Sequence, residues 1–460
     1  MAALTAEDRL ALIKENLAEF LNPEILETII NEGRNPRIYW GTATTGRPHC
    51  GYLVPGVKIA QLLAAGCDMV ILLADIHGFL DNLKAPIELV EHRVKYYRFA
   101  ITALLQACGV STDKVEFVLG SSYQKSPEYI MDLYKMCSLT SEHDAKKAGA
   151  EVVKQSANSP LSGLLYPILQ VLDEQYLNVD AQFGGLDQRK LFTAAKEWLP
   201  KLGYRQRAHL MNDMIPGLQG GKMSSSDENS KIDLLDPPDV VTKKIKKAEA
   251  APKVAEGNGL LAYVEHVFLP VAELKGKREF VVSRERDGLE PLVYSTIAQL
   301  RSDYESDVLT PQLLKPAVTK ALHDILIPIQ EAYNASKEWQ EITLLAYPPP
   351  EKKAKKVKKI GTRYQGAGPD KAAIPDGAPA EVDGVAKLSL ESEKSQAANG
   401  LNGGTALAPS VAVATLALCE PPYHKQAQQP ASQQCGQARQ AAAAAASPSP
   451  PQQQQAPHNN

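Results

Sequence analysis

The sequence is poor in cysteine, and none of it is paired in a CxxC: Cys50, Cys67, Cys108, Cys137, Cys419 and Cys435 are scattered along the chain. That pattern excludes a zinc ribbon and a disulfide framework, and it fits a reducing compartment. No apolar run reaches the length needed to cross a bilayer, so no membrane partner is expected. Met1 to Leu21 carries Glu7, Asp8, Glu15 and Glu19, acids that a signal sequence or an Arg-rich transit peptide avoids. A soluble cytosolic protein is the expectation. An excess of positive charge is also missing. The net charge is −3, which argues against an RNA-coating protein and leaves nucleic acid to local patches. Aromatics make up only 6%, and beyond Tyr364 the sole one is Tyr423. The C-terminal stretch therefore cannot build a packed interior.

What is present is a 460-residue chain, 44% hydrophobic, long enough for at least one sizeable core. Thr5-Ala6-Glu7-Asp8 can cap a helix whose apolar residues Leu10, Ile13, Leu17, Phe20 and Leu21 recur at helical spacing. A short strand, Arg37 to Gly41, precedes a Gly/Pro-rich turn and a helical stretch from Tyr52 to Ala65, ended by Gly66. Met69 to Ala74 is continuously apolar, as a strand buried on both faces requires. Pro86 opens a long helix ending near Gly109, and Val115 to Leu119 is a further strand. Ser126-Pro127 and Ser159-Pro160 open two more helices, and strands near Val179 and His209 flank another. Alternation of this kind predicts an α/β fold, a parallel sheet with helices on both faces, binding ligands at the carboxyl ends of its strands.

From Lys231 the pattern becomes helical, through Lys243-Lys244-Ile245-Lys246-Lys247, Leu260 to Leu269 and Pro311 to Tyr333. A smaller α-helical domain is expected there. A lysine-rich run, Glu351 to Lys359, leads into Gln tracts and an alanine block, a low-complexity tail that should be disordered. The expected domains are therefore 1–230, 231–347 and 348–460. Lys243 to Lys247 and Lys352 to Lys359 fit a solvated basic face, an RNA contact or a nuclear address.

Two motifs carry chemistry. Thr45-Gly46-Arg47-Pro48-His49-Cys50-Gly51-Tyr52 puts a histidine and a glycine at a helix start, where free N–H groups and the dipole favour anions. It fits equally a tight strand–helix turn with a capping histidine. Gly220-Gly221-Lys222-Met223-Ser224-Ser225-Ser226 presents a cation and hydroxyl donors suited to a triphosphate. It is no Walker loop, because Pro216 stands where the first glycine belongs and Met223 where Ser or Thr must hold magnesium. A bland Gly/Ser surface loop is the alternative. On a third segment, Tyr166, Gln170 and Asp173 fall at i, i+4 and i+7 of an otherwise apolar helix, either a binding wall or an exposed polar face.

In this order and on such a sheet, the first two motifs resemble the HIGH and KMSKS signatures of class I aminoacyl-tRNA synthetases. The resemblance is close from Glu32 to Lys247, looser to Tyr333, and does not reach the tail. Tyr52 in place of the last histidine and Ser225 in place of the second lysine look like the archaeal and eukaryotic tyrosyl-tRNA synthetases, which weakens carry-over from bacterial enzymes at those two positions.

The resemblance implies a Rossmann-like catalytic domain that joins L-tyrosine to tRNA(Tyr) at the expense of ATP, in the cytoplasm. It implies ATP contacts at His49, Gly51, Tyr52, Lys222, Met223, Ser224, Ser225 and Ser226, with His49, Lys222 and Ser224 catalytic. Tyr166 and Gln170 would hold the substrate's ammonium, Tyr39 and Asp173 its phenol, and Gln188 a further part of the amino acid. His77, ending the strand Leu73-Ala74-Asp75, would line that pocket or be a hydrogen-bonded histidine at a helix start. Magnesium would accompany ATP with no protein-held metal, 231–347 would bind the anticodon region, and the chain would be a homodimer. His143 and His209 have no motif around them and read as structural. Three rivals remain. They are a tryptophan ligase on the same fold, a nucleotidyltransferase with a HIGH-like turn, and a non-catalytic RNA-binding paralogue.

Overall fold

The computed structural model describes residues 4–81, 87–153, 160–218, 220 and 231–349. They belong to one compact unit, Met1–Lys358. The helices in chain order are α1 (Ala6–Lys14), α2 (Pro23–Asn31), α3 (Leu53–Ala64), α4 (Asp75–Leu80) and α5 (Ile87–Ala107). After them come α6 (Pro127–Leu139), α7 (Glu142–Ala148), α8 (Ser162–Tyr176), α9 (Arg189–Trp198) and α10 (Pro238–Lys247). The last are α11 (Gly259–Tyr263), α12 (Leu269–Leu274), α13 (Ile297–Glu305), α14 (Pro311–Ala335) and α15 (Lys337–Ala346).

Six strands form the main sheet: β1 (Leu17–Leu21), β2 (Arg37–Ala43), β3 (Asp68–Ala74), β4 (Val115–Leu119), β5 (Ala181–Gly185) and β6 (Ala208–Asn212). Their order is β1-β6-β5-β2-β3-β4, parallel from β6 to β4, with β1 added antiparallel on the β6 edge. β2 neighbours β3 on one side and β5 on the other, so the winding reverses there. A crevice opens at such a reversal, beyond the carboxyl ends of the strands.

Side-chain alternation explains why the sheet is covered twice. Ile38, Trp40, Met69, Ile71 and Leu73 join the core shared with α3 and α5. Tyr39, Val70, Leu72 and Ala74 point the other way. There α6, α8 and α9 contribute Tyr129, Met136, Ile168, Leu172 and Phe192 to a second cluster. With period two along a strand, Tyr39 must face the α8 side.

Two expectations need correction. The N-terminal helix does open at a Thr5–Asp8 capping box, but it ends at Lys14, and Leu17–Leu21 is the edge strand β1. Asn16 and Asn22, at φ 52° and 51°, bracket that strand. Asparagine tolerates the left-handed region better than most residues, so it breaks a helix where pairing to β6 stabilises an extended chain. The region after Lys231 is not purely helical either. It carries a hairpin, β7 (Phe280–Arg284) with β8 (Leu289–Tyr294), which buries Phe280, Val282 and Tyr294 while Val281 and Val293 stay exposed.

Candidate active site

A cavity of about 430 Å³ opens at the crevice and is lined from β2, the turn after it, β3, α4, α8, β5 and the residues after β6. Tyr39, His49, Gly51, Tyr52, His77, Tyr166, Gln170, Asp173 and Gln188 all line it. The sequence left open whether Tyr166, Gln170 and Asp173 face a ligand or bulk water. Asp173 is fully buried, and α8 turns this face into the cavity.

Asp173 is the most constrained group. Its Oδ1 accepts from Tyr123 Oη at 2.7 Å, Gln124 Nε2 at 2.8 Å and Tyr129 Oη at 3.1 Å. Its Oδ2 accepts nothing and lies 3.7 Å from His77 Nε2. A buried carboxylate oxygen without a donor is costly, so this one is suited to a donor brought by a ligand. Burial pushes the carboxyl up to about 7, against the pull of the donors, and neighbouring Glu174 adds to the rise.

Around it, Tyr39 donates to the Gln170 carbonyl over a long 3.3 Å. Burial, followed by the charge on Asp173, holds the Tyr39 phenol well above its usual range. His77 meets the Tyr166 ring edge-on at 4.8 Å, and neither of its nitrogens has a hydrogen-bond partner. Burial lowers His77 to about 4, so it is neutral at physiological pH. Gln170 Nε2 donates to Gln188 Oε1 at 3.1 Å, tying α8 to the turn after β5. Burial raises the Tyr166 phenol, and the charges of Asp81, Asp173 and Asp187 add to that rise. Three acidic side chains thus lie near the Tyr166 hydroxyl.

The first motif forms the other end. His49 Nδ1 accepts from the Gly51 amide at 3.1 Å. The histidine is thus a cap, and the Gly51 N–H expected to face phosphate is already engaged. With Nδ1 accepting, the ring's proton sits on Nε2. Burial and the nearby Lys231 charge lower His49 to about 4, so that Nε2–H is a neutral donor. Tyr52 packs edge-on to His49 at 5.6 Å, with its hydroxyl 3.2 Å from Thr42 Oγ1. Arg47 lies against the Tyr96 and Tyr347 rings and pairs with Asp233 at 3.5 Å. It belongs to the support of the turn.

Lys222, Met223, Ser224, Ser225 and Ser226 lie outside the described residues, as do Lys352 to Lys359 and the tail. The chain flanking the second motif does border the site. Ile215 lines the cavity, and the Ile232 carbonyl accepts from the Cys50 amide at 2.8 Å. Sequence reasoning missed Asp81 and Gln182, both buried and both lining the cavity. Asp81 stands four residues after His77, a spacing that offered a signal; Gln182, inside a strand, offered none. His143 and His209 do not line the cavity, and His209 is buried against Glu174 at 2.7 Å.

Residues 31–326 match the family "tRNA synthetases class I (W and Y)". The cytoplasmic tyrosine–tRNA ligase of Saccharomyces cerevisiae is 49% identical over 375 residues, covering 80% of this chain and 95% of the yeast protein. The chain belongs to the tyrosyl class I aminoacyl-tRNA synthetases. The Gallus gallus cytoplasmic tyrosine–tRNA ligase is 51% identical over 346 residues, 75% of this chain and 64% of that one. Among solved structures, the Archaeoglobus fulgidus tyrosyl-tRNA synthetase complexed with L-tyrosine superimposes with a TM-score of 0.66 at 34% identity. The match covers 72% of this chain and 99% of the archaeal one.

For a synthetase of this family, the raised Asp173 carboxyl has a measurable consequence. Below about 7 it is protonated in the empty pocket, and Oδ2 no longer offers an anionic acceptor. Binding that requires the ionised form therefore weakens as pH falls through 7, by up to about tenfold per unit. The expected result is a KM for tyrosine that rises on acidification from pH 8 to 6, with no matching rise for phenylalanine. A flat tyrosine profile over that range would contradict the assignment.

Proposed function

We infer that this chain is a tyrosine–tRNA ligase, and the observation that carries the reading is the unpartnered Asp173 Oδ2 in the cavity. A phenol both donates and accepts: its O–H donates to Asp173 Oδ2, and its oxygen accepts from Tyr39, whose own 3.3 Å bond is weak enough to exchange. An indole N–H has no lone pair to offer Tyr39, which disfavours tryptophan. Tyr166 and Gln170 hold the ammonium, and Gln188 contacts a further part of the amino acid. Asp81, the buried acid beside Tyr166, supplies counter-charge.

The reaction runs in two steps. Tyrosine's carboxylate attacks the α-phosphorus of ATP and displaces pyrophosphate, and a terminal ribose hydroxyl of the tRNA then attacks the tyrosyl-adenylate. The carboxylate is ionised at neutral pH, so the first step needs no general base. Rate comes from in-line placement and from charge stabilisation on the phosphates. His49 Nε2–H, Lys222 and Ser224 supply the donors, Tyr52 packs His49 in place, and Met223, Ser225 and Ser226 complete the second motif. Magnesium accompanies ATP; among the described residues no group of His, Cys, Asp or Glu forms a metal site.

Residues 231–347 are assigned the anticodon region of tRNA(Tyr), following the catalytic domain 1–230, and the setting is the cytoplasm. α6 leaves Met131, Tyr134 and Leu139 exposed, an apolar face that supports a homodimer. Sedimentation of the full chain should give twice the monomer mass, and a monomer at micromolar concentration would reject the dimer. The function itself is tested by charging. Incubation with ATP, tRNA and labelled tyrosine should yield tyrosyl-tRNA, AMP and pyrophosphate; no label in tRNA would overturn the reading.

A further inference from the structure

Three donors converge on Asp173 from outside the cavity, and none of them lines it. We propose that Tyr123 and Gln124, assisted by Tyr129, are positioning residues that hold Asp173 so that Oδ2 faces the amino acid. They thereby set the preference for tyrosine over phenylalanine without touching either. This rests on the tyrosine reading and deepens it.

All three donors bind the same oxygen. A carboxylate with free rotation presents either oxygen to a ligand. Fixing Oδ1 from one side leaves a single orientation, with Oδ2 turned toward His77 and the cavity. The Tyr129 hydroxyl lies 2.9 Å from the Leu169 carbonyl as well as 3.1 Å from Asp173 Oδ1, so its one hydrogen is shared. Tyr123 and Gln124 carry the larger part.

The clamp is itself anchored. Both residues follow the turn Gly120–Ser122, and Asp75 Oδ1 accepts from the Ser121 amide at 2.8 Å. Asp75 is the first residue of α4, which carries His77 into the pocket, so clamp and pocket wall share one support. The turn passes too close for a side chain: a Cβ at Gly120 would meet Gln124 Oε1 at 2.8 Å and Asp75 Oδ1 at 2.9 Å.

The groups facing Asp173 are Tyr39 from β2, His77 from α4, Tyr123 and Gln124 from the turn, Tyr129 from α6, and Tyr166 and Glu174 from α8. Donors to the ionised form oppose the burial that raises Asp173, so losing one moves the carboxyl upward.

The test uses the full chain with Tyr123→Phe, Gln124→Met and Gly120→Ala, assayed by pyrophosphate exchange with tyrosine and with phenylalanine from pH 6 to 9. Each variant should lose about tenfold in kcat/KM for tyrosine through KM, the scale of one donor to a charged group. Phenylalanine should change by less than about threefold on the same reasoning, and the acid limb for tyrosine should shift to higher pH. Tyr123→Phe removes a single oxygen and decides the matter should the other two fail to fold. Equal losses for both amino acids with an unmoved acid limb, or no loss at all, would overturn the clamp while wild-type exchange with tyrosine left the function standing. Wild-type enzyme inert toward tyrosine would remove the functional reading itself.

Discussion

Replacing Lys222 by alanine is expected to slow tyrosyl-adenylate formation by about a hundredfold or more, the scale of removing one preorganised transition-state donor. Charge gathers on the phosphates as pyrophosphate leaves. On the proposed mechanism the first motif meets it with a neutral histidine, since burial and Lys231 keep His49 uncharged at physiological pH. The Gly51 amide is spent on His49 Nδ1. On that mechanism the cation of the second motif would carry more of the stabilisation than the two-motif pattern alone implies. A lysine that acts only on phosphate should leave tyrosine affinity almost unmoved. Equilibrium binding of tyrosine alongside single-turnover kinetics separates the two. A variant that bound tyrosine poorly but kept its maximal rate would contradict the role.

Asp173→Ala should produce the second large effect. Phenylalanine lacks only one oxygen, so an apolar slot cannot reject it, and rejection must come from polar groups left unpaired. Tyrosyl-tRNA synthetase is itself the standard example of such selectivity, about 10⁵-fold. Loss of a charged acceptor should cost tyrosine about 1.5–3 kcal/mol, and Tyr39→Phe about 1 kcal/mol. The smaller figure suits Tyr39, whose hydroxyl already has the Gln170 carbonyl. Phenylalanine should be activated no worse by either variant, because it never used those groups. kcat/KM for both amino acids in the two single variants and the double variant gives the answer. Parallel losses would mean that Tyr39 and Asp173 only support the fold.

Much of the fold was legible because strands buried on both faces are continuously apolar and motifs sit at their ends. Met69 to Ala74 reads as a strand on the first ground and Arg37 to Gly41 as the strand leading into the first motif, and the two place the crevice. Leu17–Leu21 was misread because its leucines suit a helical period as well as an extended one. Pairing with β6 decided between them, and the local clue was Asn16. The hairpin from Phe280 to Tyr294 gave no period-two signal, because Phe280-Val281-Val282 and Leu292-Val293-Tyr294 are apolar throughout while Val281 and Val293 face outward in the folded chain. The site divides in the same manner. Residues on one turn or one helix face, such as His49 or Tyr166 with Asp173, are visible as spacing. The partners that give them their properties are not. Tyr123 and Gln124 reach Asp173 across about fifty residues of chain, and Lys231 reaches His49 across far more. No periodicity records such contacts, so the neutral histidine and the clamped carboxylate emerge only from the folded chain.

The most direct test of the account is exchange of labelled pyrophosphate into ATP by the full chain, measured separately with tyrosine, phenylalanine and tryptophan. The account predicts strong exchange with tyrosine, exchange with phenylalanine lower by several orders of magnitude in kcat/KM, and none above background with tryptophan. Equal exchange with tryptophan, or none with tyrosine, would contradict it.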